Sequence, residues 1–541
     1  MRTDGNGITA GAPLDALAGL PAGPRVDDVL AQSARRAPGR TALCATGPDA
    51  RSAHREWTYA ELDAEADRCA AAIRAAAGGT GVTVAVASAL DPAYPVAFYG
   101  IARSGNTSAL ISPLLREDGL VHVLRTSGAR IAVLTPQAYR NLEPVRGRLP
   151  ELRQIVLTHR DDDLGPVAEK LPTLWELMAQ APAFEAPAAG TDTAETVACL
   201  QFTNGTTGAP KAVRLTHRNL TVNAAQIVHA HALDETSVLL DQLPTFHLMH
   251  LTAAVSAGAK LVLCPEGDPV AAMRIAALHR TTHFYSLPVR LIGLAGDPGL
   301  GDLEAPTLRA VLSGGSTMPP QATTALTQHF GVPVIQGYGL AETSPLVTCD
   351  LPDRPKLRSS GPPVAGTEIR IVDVESRGPR PAGEIGEIEV RGPQLMLGYL
   401  GRDRGQDLDA EGWLATGDIG RVDEDGYLFV VDRIKDVFKR DNWLVSPTEI
   451  ERVLLRHPGV ADCAVVDAPH PLSGAVAHGV IVRRDATVTA AEVTAFVADR
   501  LPYYEHLDDV EFVEAIPRTA NGGKIQRAEL RKRLRERADA A

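Results

Sequence analysis

A cluster of short hydrogen-bond donors around one ammonium occupies Leu200–His217, LQFTNGTTGAPKAVRLTH, which contains Thr203, Asn204, Gly205, Thr206, Thr207, Gly208 and Lys211. A polyphosphate needs donors in a concave arrangement. Glycines let backbone N–H groups turn inward, Thr hydroxyls add donors, and one Lys offsets charge. The spacing is not GxxxxGK followed by Ser or Thr, which disfavours an ordinary P-loop nucleotidase. GYGLAETSP (Gly337–Pro345) puts an aromatic face, tight glycine turns, a carboxylate and a hydroxyl within seven residues. Gly314 and Gly315 in LSGGSTMPP leave room for a flat ring to approach the backbone. Asp418 in TGDIG can accept two O–H donors, Arg433 in DRIK offers a planar donor fork, and Lys524 in ANGGK brings an ammonium near the C-terminus. Read singly, each has a plainer explanation as a turn, a surface ion pair or a solvated charge.

The elements that must carry these residues read as α/β. Trp57–Ala77 has apolar residues at helical spacing. Val82–Ala87 is a β-branched run followed by a helical AYPVAFYGIARSG, and IAVLT and QIVLT repeat the pattern of buried parallel strands. Apolar strands recur at VACLQFT, AKLVLC, THFYSLP, AVLSGG and VPVIQGYG, separated by helical or turn segments, which predicts more than one open sheet. A helix-like segment is expected after the Thr203–Lys211 loop, and Ala181–Glu195 reads as a surface connection. After Pro381, short alternating strands joined by Gly turns suggest a smaller β-rich unit, and from Pro447 onward the pattern is α+β. The first 25 or so residues are Gly/Pro/Ala-rich and are expected to be a disordered tail.

The chain has 541 residues, enough for three or four domain-sized cores. Its net charge of −12 argues against nucleic acid or an anionic membrane as the main partner, because phosphate neutralisation needs a basic face. A small polyphosphate is not excluded, since a few local cations suffice. The 6 Cys lack CxxC or other metal-ligand spacing, which favours buried thiols and a reducing, cytoplasmic location. The start has no apolar signal region, and no apolar run reaches membrane-helix length.

FTNGTTGAPKAV resembles the phosphate-binding signature of the adenylate-forming superfamily, which includes acyl- and aryl-CoA synthetases, peptide-synthetase adenylation domains and beetle luciferases. Further signatures follow in the family's order over nearly the whole chain: LPTFH (Leu243–His247), LSGGSTMPP, GYGLAETSP, GWLATGDIG (Gly412–Gly420), DRIKDVFK (Asp432–Lys439), VSPTEIE (Val445–Glu451) and IPRTANGGKI (Ile516–Ile525). The resemblance, nearest to the acyl-CoA synthetase branch, implies an N-terminal adenylation region at 26–432 with two α/β sheets and a β-rich subdomain. A small mobile α+β domain at 433–541 completes it, with the active site at the junction. It also implies ATP as co-substrate, Mg²⁺ held by Glu342, Tyr338 against adenine within Gly337–Gly339, Thr343 and Thr203 on phosphate, and Asp418 with Arg433 on the ribose. Lys524 is the implied catalytic ammonium for attack of a carboxylate on the α-phosphate, and Lys435 the hinge.

His247 stands where relatives that activate α-amino acids place Asp to pair with the substrate ammonium. An α-amino acid is therefore not expected. An aryl or medium-chain acyl acid is, with Ser286, Gly314, Gly337 and Leu340 lining its channel by resemblance. The acceptor expected is a thiol, of CoA or a carrier protein, and the state a monomer or homodimer. Asn204 replaces a usual Ser and Ala212 a common Gly, both mild changes. Asn442, followed by Trp443, replaces the Gly that lets pantetheine pass close to the backbone in relatives. That departure keeps a non-thiol acceptor in view: an aryl amine, as in diazotases that activate nitrite, or an amine in amide formation. Retention of Lys524, Glu342, Asp418 and Arg433 weighs against a catalytically dead nucleotide-binding module.

Overall fold

The computed structural model describes residues 4, 7–19, 25–46, 55–87, 90–161, 170–184, 194–203, 210–243, 248–441, 443–470, 472–518 and 525–540. Among them the chain builds four sheets. In the first, Thr83–Ala87, Thr107–Leu110, Ile131–Leu134, Gln154–Leu157 and Val197–Phe202 run parallel. Ala212–Thr216 lies antiparallel beside Val197–Phe202, and the short Gly398–Tyr399 closes that edge. In the second, Thr41–Ala45, Lys260–Leu263, Val238–Asp241, His283–Ser286, Ala310–Gly314 and Val334–Gly339 are parallel, flanked by antiparallel Arg55–Thr58 and Leu346–Cys349.

Parallel strands joined through helices are covered on both faces, which is why they read as unbroken apolar runs. One core joins the two sheets. Val84 and Leu110 of the first and Leu239 and Leu261 of the second share it with Leu30, Ile73, Phe98, Leu220 and Leu251 from helices between them. The opposite faces have their own cores, around Leu124 and Leu134 in one sheet and Phe284 and Leu326 in the other. The third sheet is wholly antiparallel: Ile8–Ala10, Glu368–Val372, Gly386–Arg391, Leu414–Val422 and Leu428–Arg433. The fourth belongs to a smaller α+β unit in which Val460–His470 and Gly474–Arg483 form a long hairpin, with Leu507–Phe512 parallel to the latter. No helix among the described residues is long and apolar enough to cross a membrane.

Three local expectations are corrected. The helix expected from Trp57 begins at Tyr59, because the Thr58 hydroxyl and the Glu61 side chain form a reciprocal cap and Trp57 lies in the preceding strand. The segment after the Thr203–Lys211 loop is the strand Ala212–Thr216, and the helix starts only at His217, where Thr216 and Asn219 cap each other. The tail expected at 1–25 contains an edge strand, Ile8–Ala10, paired with Glu368–Val372. Three residues carry too little pattern to announce a strand, and the partner's open edge decides the matter. Gly11 anchors this segment. Its N–H donates to the Thr367 carbonyl at 2.8 Å, and a Cβ there would lie 2.1 Å from the Val364 carbonyl oxygen.

Gly11→Val is therefore expected to lift the strand off its edge. Limited proteolysis should open the first twenty or so residues, and the thermal midpoint should fall by roughly 2–8 °C. Wild-type cleavage and an unchanged midpoint would contradict this packing.

Candidate active site

The phosphate-type loop grows from a hairpin. Val197–Phe202 pairs with Ala212–Thr216, placing Phe202 opposite Ala212. Its base is closed twice: the Thr203 N–H donates to the Lys211 carbonyl at 3.0 Å, and the Lys211 N–H donates to Thr203 Oγ1 at 3.1 Å. Asn204, Gly205, Thr206, Thr207 and Gly208, between them, lie outside the described residues. The exposed Lys211 carries its Nζ 4.7 Å above the ring of Tyr399, a residue that sequence reasoning passed over. Tyr399 sits opposite Val213 on the edge strand, and its hydroxyl donates to Glu342 Oε1 at 2.6 Å. Burial, reinforced by the Glu342 charge, pushes the Tyr399 phenol well up, so it remains a donor.

Glu342 belongs to the turn that follows Val334–Gly339. Glycine is demanded at 339, where a Cβ would stand 1.8 Å from the Pro345 carbonyl oxygen. The Leu340 N–H donates to Thr343 Oγ1 at 3.0 Å, and the Thr343 hydroxyl also contacts the Leu340 carbonyl at 3.0 Å and that of Pro345 at 2.5 Å. Thr343 is fully buried, and in this conformation its hydroxyl organises the turn. The Met396 N–H, donating to the Glu342 carbonyl at 2.9 Å, fixes the turn from outside. One oxygen of the half-buried Glu342 carboxylate bonds Tyr399, leaving the other for a ligand. A single carboxylate suits Mg²⁺, which takes one or two from a protein and completes its shell with phosphate oxygens and water.

The other end of the turn reaches the third sheet. The Tyr338 hydroxyl donates to Asp418 Oδ2 at 2.7 Å, and Arg433 Nε lies 3.2 Å from Asp418 Oδ1. Asp418 and Arg433 face each other across paired strands, so their meeting is a matter of register. Burial, and next the Asp418 charge, keep the Tyr338 phenol far above its usual range. The left-handed Gly417 (φ +72°) donates its N–H to Glu387 Oε1 at 3.0 Å, and the Asp418 N–H donates to Thr416 Oγ1 at 3.1 Å. Asp418 thus meets the second sheet through Tyr338 and the neighbouring strand of its own sheet through Arg433.

The expected acid-channel residues lie at the carboxyl ends of the second sheet's strands. Ser286 is level with Ser313, and Gly314 with Gly337. Gly315 takes φ +91°, and a Cβ on Gly337 would approach Leu346 Cδ1 at 3.0 Å. The Ser286 hydroxyl donates to Gln242 Oε1 at 2.7 Å, and the half-buried Leu340 caps the turn beyond. His247 lies outside the described residues. Asp241 and His250, on either side of it in sequence, were missed, since one Asp ending an apolar strand and one His on a helix carry no signal alone.

Lys435 stands in a turn where the Asp436 and Val437 N–H groups donate to the Arg433 carbonyl at 2.8 and 3.0 Å. Burial lowers the pKa of its ammonium, while the adjacent Asp436 pulls the other way. Asp432 ties the segment forward, accepting from Ser446 Oγ at 2.9 Å and the Thr448 N–H at 3.1 Å. Lys524 and Asn442 lie outside the described residues, though a bridge between Arg518 and Ile525 brackets the segment that carries Lys524. Next to Asn442, Asp441 adopts the left-handed φ of +50°, and Trp443 stacks on Tyr504 at 5.0 Å with 55% of its surface exposed.

A family model described as AMP-binding enzyme matches residues 30–400, and one described as AMP-binding enzyme C-terminal domain matches 449–523. The chain is 32% identical over 505 residues to 4-coumarate–CoA ligase 2 of Oryza sativa subsp. japonica, spanning 89% of this chain and 88% of that protein. The anthranilate CoA ligase AuaEII in complex with anthranoyl-AMP superposes with TM-score 0.84 at 27% identity, covering 97% of this chain and 99% of that one. The O-succinylbenzoate coenzyme A synthetase of Bacillus subtilis, in complex with ATP and a magnesium ion, gives TM-score 0.78 at 27% identity, covering 93% and 98%.

Gly339→Ala tests the turn. Its Cβ must displace the Pro345 backbone and with it both Tyr338 and Glu342, so calorimetric affinity for ATP with Mg²⁺ should fall roughly tenfold to a hundredfold. Unaltered affinity would show that the turn does not position the site.

Proposed function

The chain belongs to the AMP-binding enzyme family, as an AMP-forming acid ligase of the acyl-CoA synthetase type, and from that premise we propose that it adenylates an aryl or medium-chain acyl acid and passes the acyl group to a thiol. The supporting observation is a continuous run of contacts. Lys211 lies over Tyr399, Tyr399 bonds Glu342, one turn joins Glu342 to Tyr338, and Tyr338 bonds Asp418, which pairs with Arg433. These residues come from five separate stretches of sequence, and together they offer contacts for polyphosphate, ribose and a flat base.

In the first half-reaction a carboxylate oxygen bonds to the α-phosphorus of ATP while the bond to the pyrophosphate oxygen breaks. Anion approaches anion, so fixed positive charge must meet the charge growing on the α-phosphate. Lys211 faces the polyphosphate side, and Asp418 with Arg433 holds the ribose. Mg²⁺, held at Glu342, supplies further neutralisation when bound. Lys524 is the ammonium assigned to the attacked phosphate, delivered when the small domain turns about Lys435. In the second half-reaction a thiolate attacks the acyl carbonyl and AMP leaves. His247, in place of an Asp, leaves no carboxylate at that position for an α-ammonium.

A second reading keeps adenylation and replaces the thiol by an amine, or the acid by nitrite with an aryl amine as acceptor. It is favoured by one feature, Asn442–Trp443 in the thiol loop, where Trp443 adds an exposed aromatic platform with Tyr504.

Product analysis over aryl, aliphatic and inorganic acids should yield AMP and pyrophosphate, accelerated by CoA. ADP as product, or acceleration by aryl amines and not by CoA, would count against the first reading. Lys524→Ala should lower adenylation about 10²–10³-fold, and Glu342→Gln by a similar factor with a raised Mg²⁺ requirement. Full adenylation by Lys524→Ala would remove that residue from the mechanism.

A further inference from the structure

The second sheet buries ionisable groups that neither half-reaction uses. Asp241 ends the strand Val238–Asp241 and lies level with Tyr285. Its Oδ1 accepts the Leu243 N–H at 3.0 Å. Its Oδ2 faces His250 Nδ1 at 3.7 Å, beyond hydrogen-bond reach. The His250 side chain is 3% exposed, and its Nδ1 is buried with no hydrogen-bond partner. Neighbouring groups do not relieve it. The ring packs edge-on against Tyr285 at 4.5 Å, and the Tyr285 hydroxyl lies 2.9 Å from His231 Nδ1. Burial pushes the Asp241 carboxyl up to about 7 and the His250 imidazole down to about 3, so the two do not form an ion pair near neutrality.

Their place in the fold points to a ligand. Open α/β sheets bind ligands outside the carboxyl ends of their strands, where Asp241 stands. Asp241 and His250 bracket the Leu243–His247 segment, and Asp241 keeps 11% of its side chain accessible. The next row along the strand ends holds Gln242, bonded to Ser286, and Ser313, whose Oγ is also buried without a partner. A purely apolar acid would leave His250 Nδ1 and Ser313 Oγ unsatisfied.

We propose that Asp241 and His250 together recognise a hydrogen-bond donor, an amino or hydroxyl group, carried by the acid substrate away from its carboxylate. This rests on the ligase reading above and narrows its substrate class. A single polar atom bridging Asp241 Oδ2 and His250 Nδ1, which are 3.7 Å apart, would satisfy both. An amino group has a hydrogen for each acceptor. A hydroxyl donates to the carboxylate and accepts from an Nδ1–H tautomer.

The test is steady-state AMP formation by the full chain with benzoate, its amino, hydroxy and methyl derivatives, and the corresponding cinnamates. An amino or hydroxy acid should exceed its methyl isostere in kcat/KM by ~10²-fold or more, because sites built to bond a polar group reject analogues lacking it. In Asp241→Leu, and separately in His250→Phe, that ratio should shrink at least ~10-fold, whatever happens to the absolute rates. Equal use of donor and methyl acids by the wild type, or a ratio unmoved in both variants, would overturn the assignment and leave the gap to an ordered water. Absence of acid-dependent AMP formation across this panel and across medium-chain aliphatic acids with their hydroxy and amino derivatives would instead overturn the ligase reading and this inference with it.

Discussion

Two phenol–carboxylate hydrogen bonds hold the Gly337–Thr343 segment, and the candidate site depends on them. Tyr338 reaches out to Asp418 in the third sheet, and Tyr399 reaches in to Glu342 from the edge of the first. Both are charge-assisted, which makes them shorter and stronger than neutral pairs. Because Tyr338 and Glu342 are four residues apart on one turn, a shift at either end carries to the other. The turn is crowded: Gly339 abuts Pro345, and the Thr343 hydroxyl closes the backbone from beneath. Three sheets are thereby coupled through this one turn.

The charge distribution follows the same logic. A chain of net charge −12 is an unpromising host for a polyanion, yet Lys211 and Arg433 flank this turn from opposite sides. Lys435 stands in the half-buried turn that leads to the small domain. A few local cations within an acidic chain suit a small phosphorylated substrate and not a nucleic acid. The acid side of the second sheet is different in kind. There burial raises the Asp241 carboxyl and lowers the His250 imidazole, so the pair offers hydrogen bonding in place of an ion pair.

Much of this was legible in the sequence because polar residues at fixed spacing inside apolar surroundings leave a strong trace. The parallel strands read as apolar runs, and Asp418 and Arg433 stood out within short motifs. What escaped was set by tertiary partners. Ile8–Ala10 is a strand only because Glu368–Val372 offers an edge, and Ala212–Thr216 forms a hairpin arm where a helix was expected. Tyr399 was invisible because one Tyr in a two-residue edge strand means nothing until its hydroxyl is found on Glu342. Nor does a motif reveal that the Thr343 hydroxyl is engaged by the turn's own backbone.

The most direct test of the central claim is acid-dependent exchange of pyrophosphate into ATP by Tyr338→Phe, Tyr399→Phe and the double variant. Each single change removes one hydroxyl and leaves the ring. Each should lower exchange at least ~10-fold with the thermal midpoint nearly unmoved, and the double variant should lose less than the product of the two, since both act on one turn. Wild-type exchange in the double variant would contradict the account.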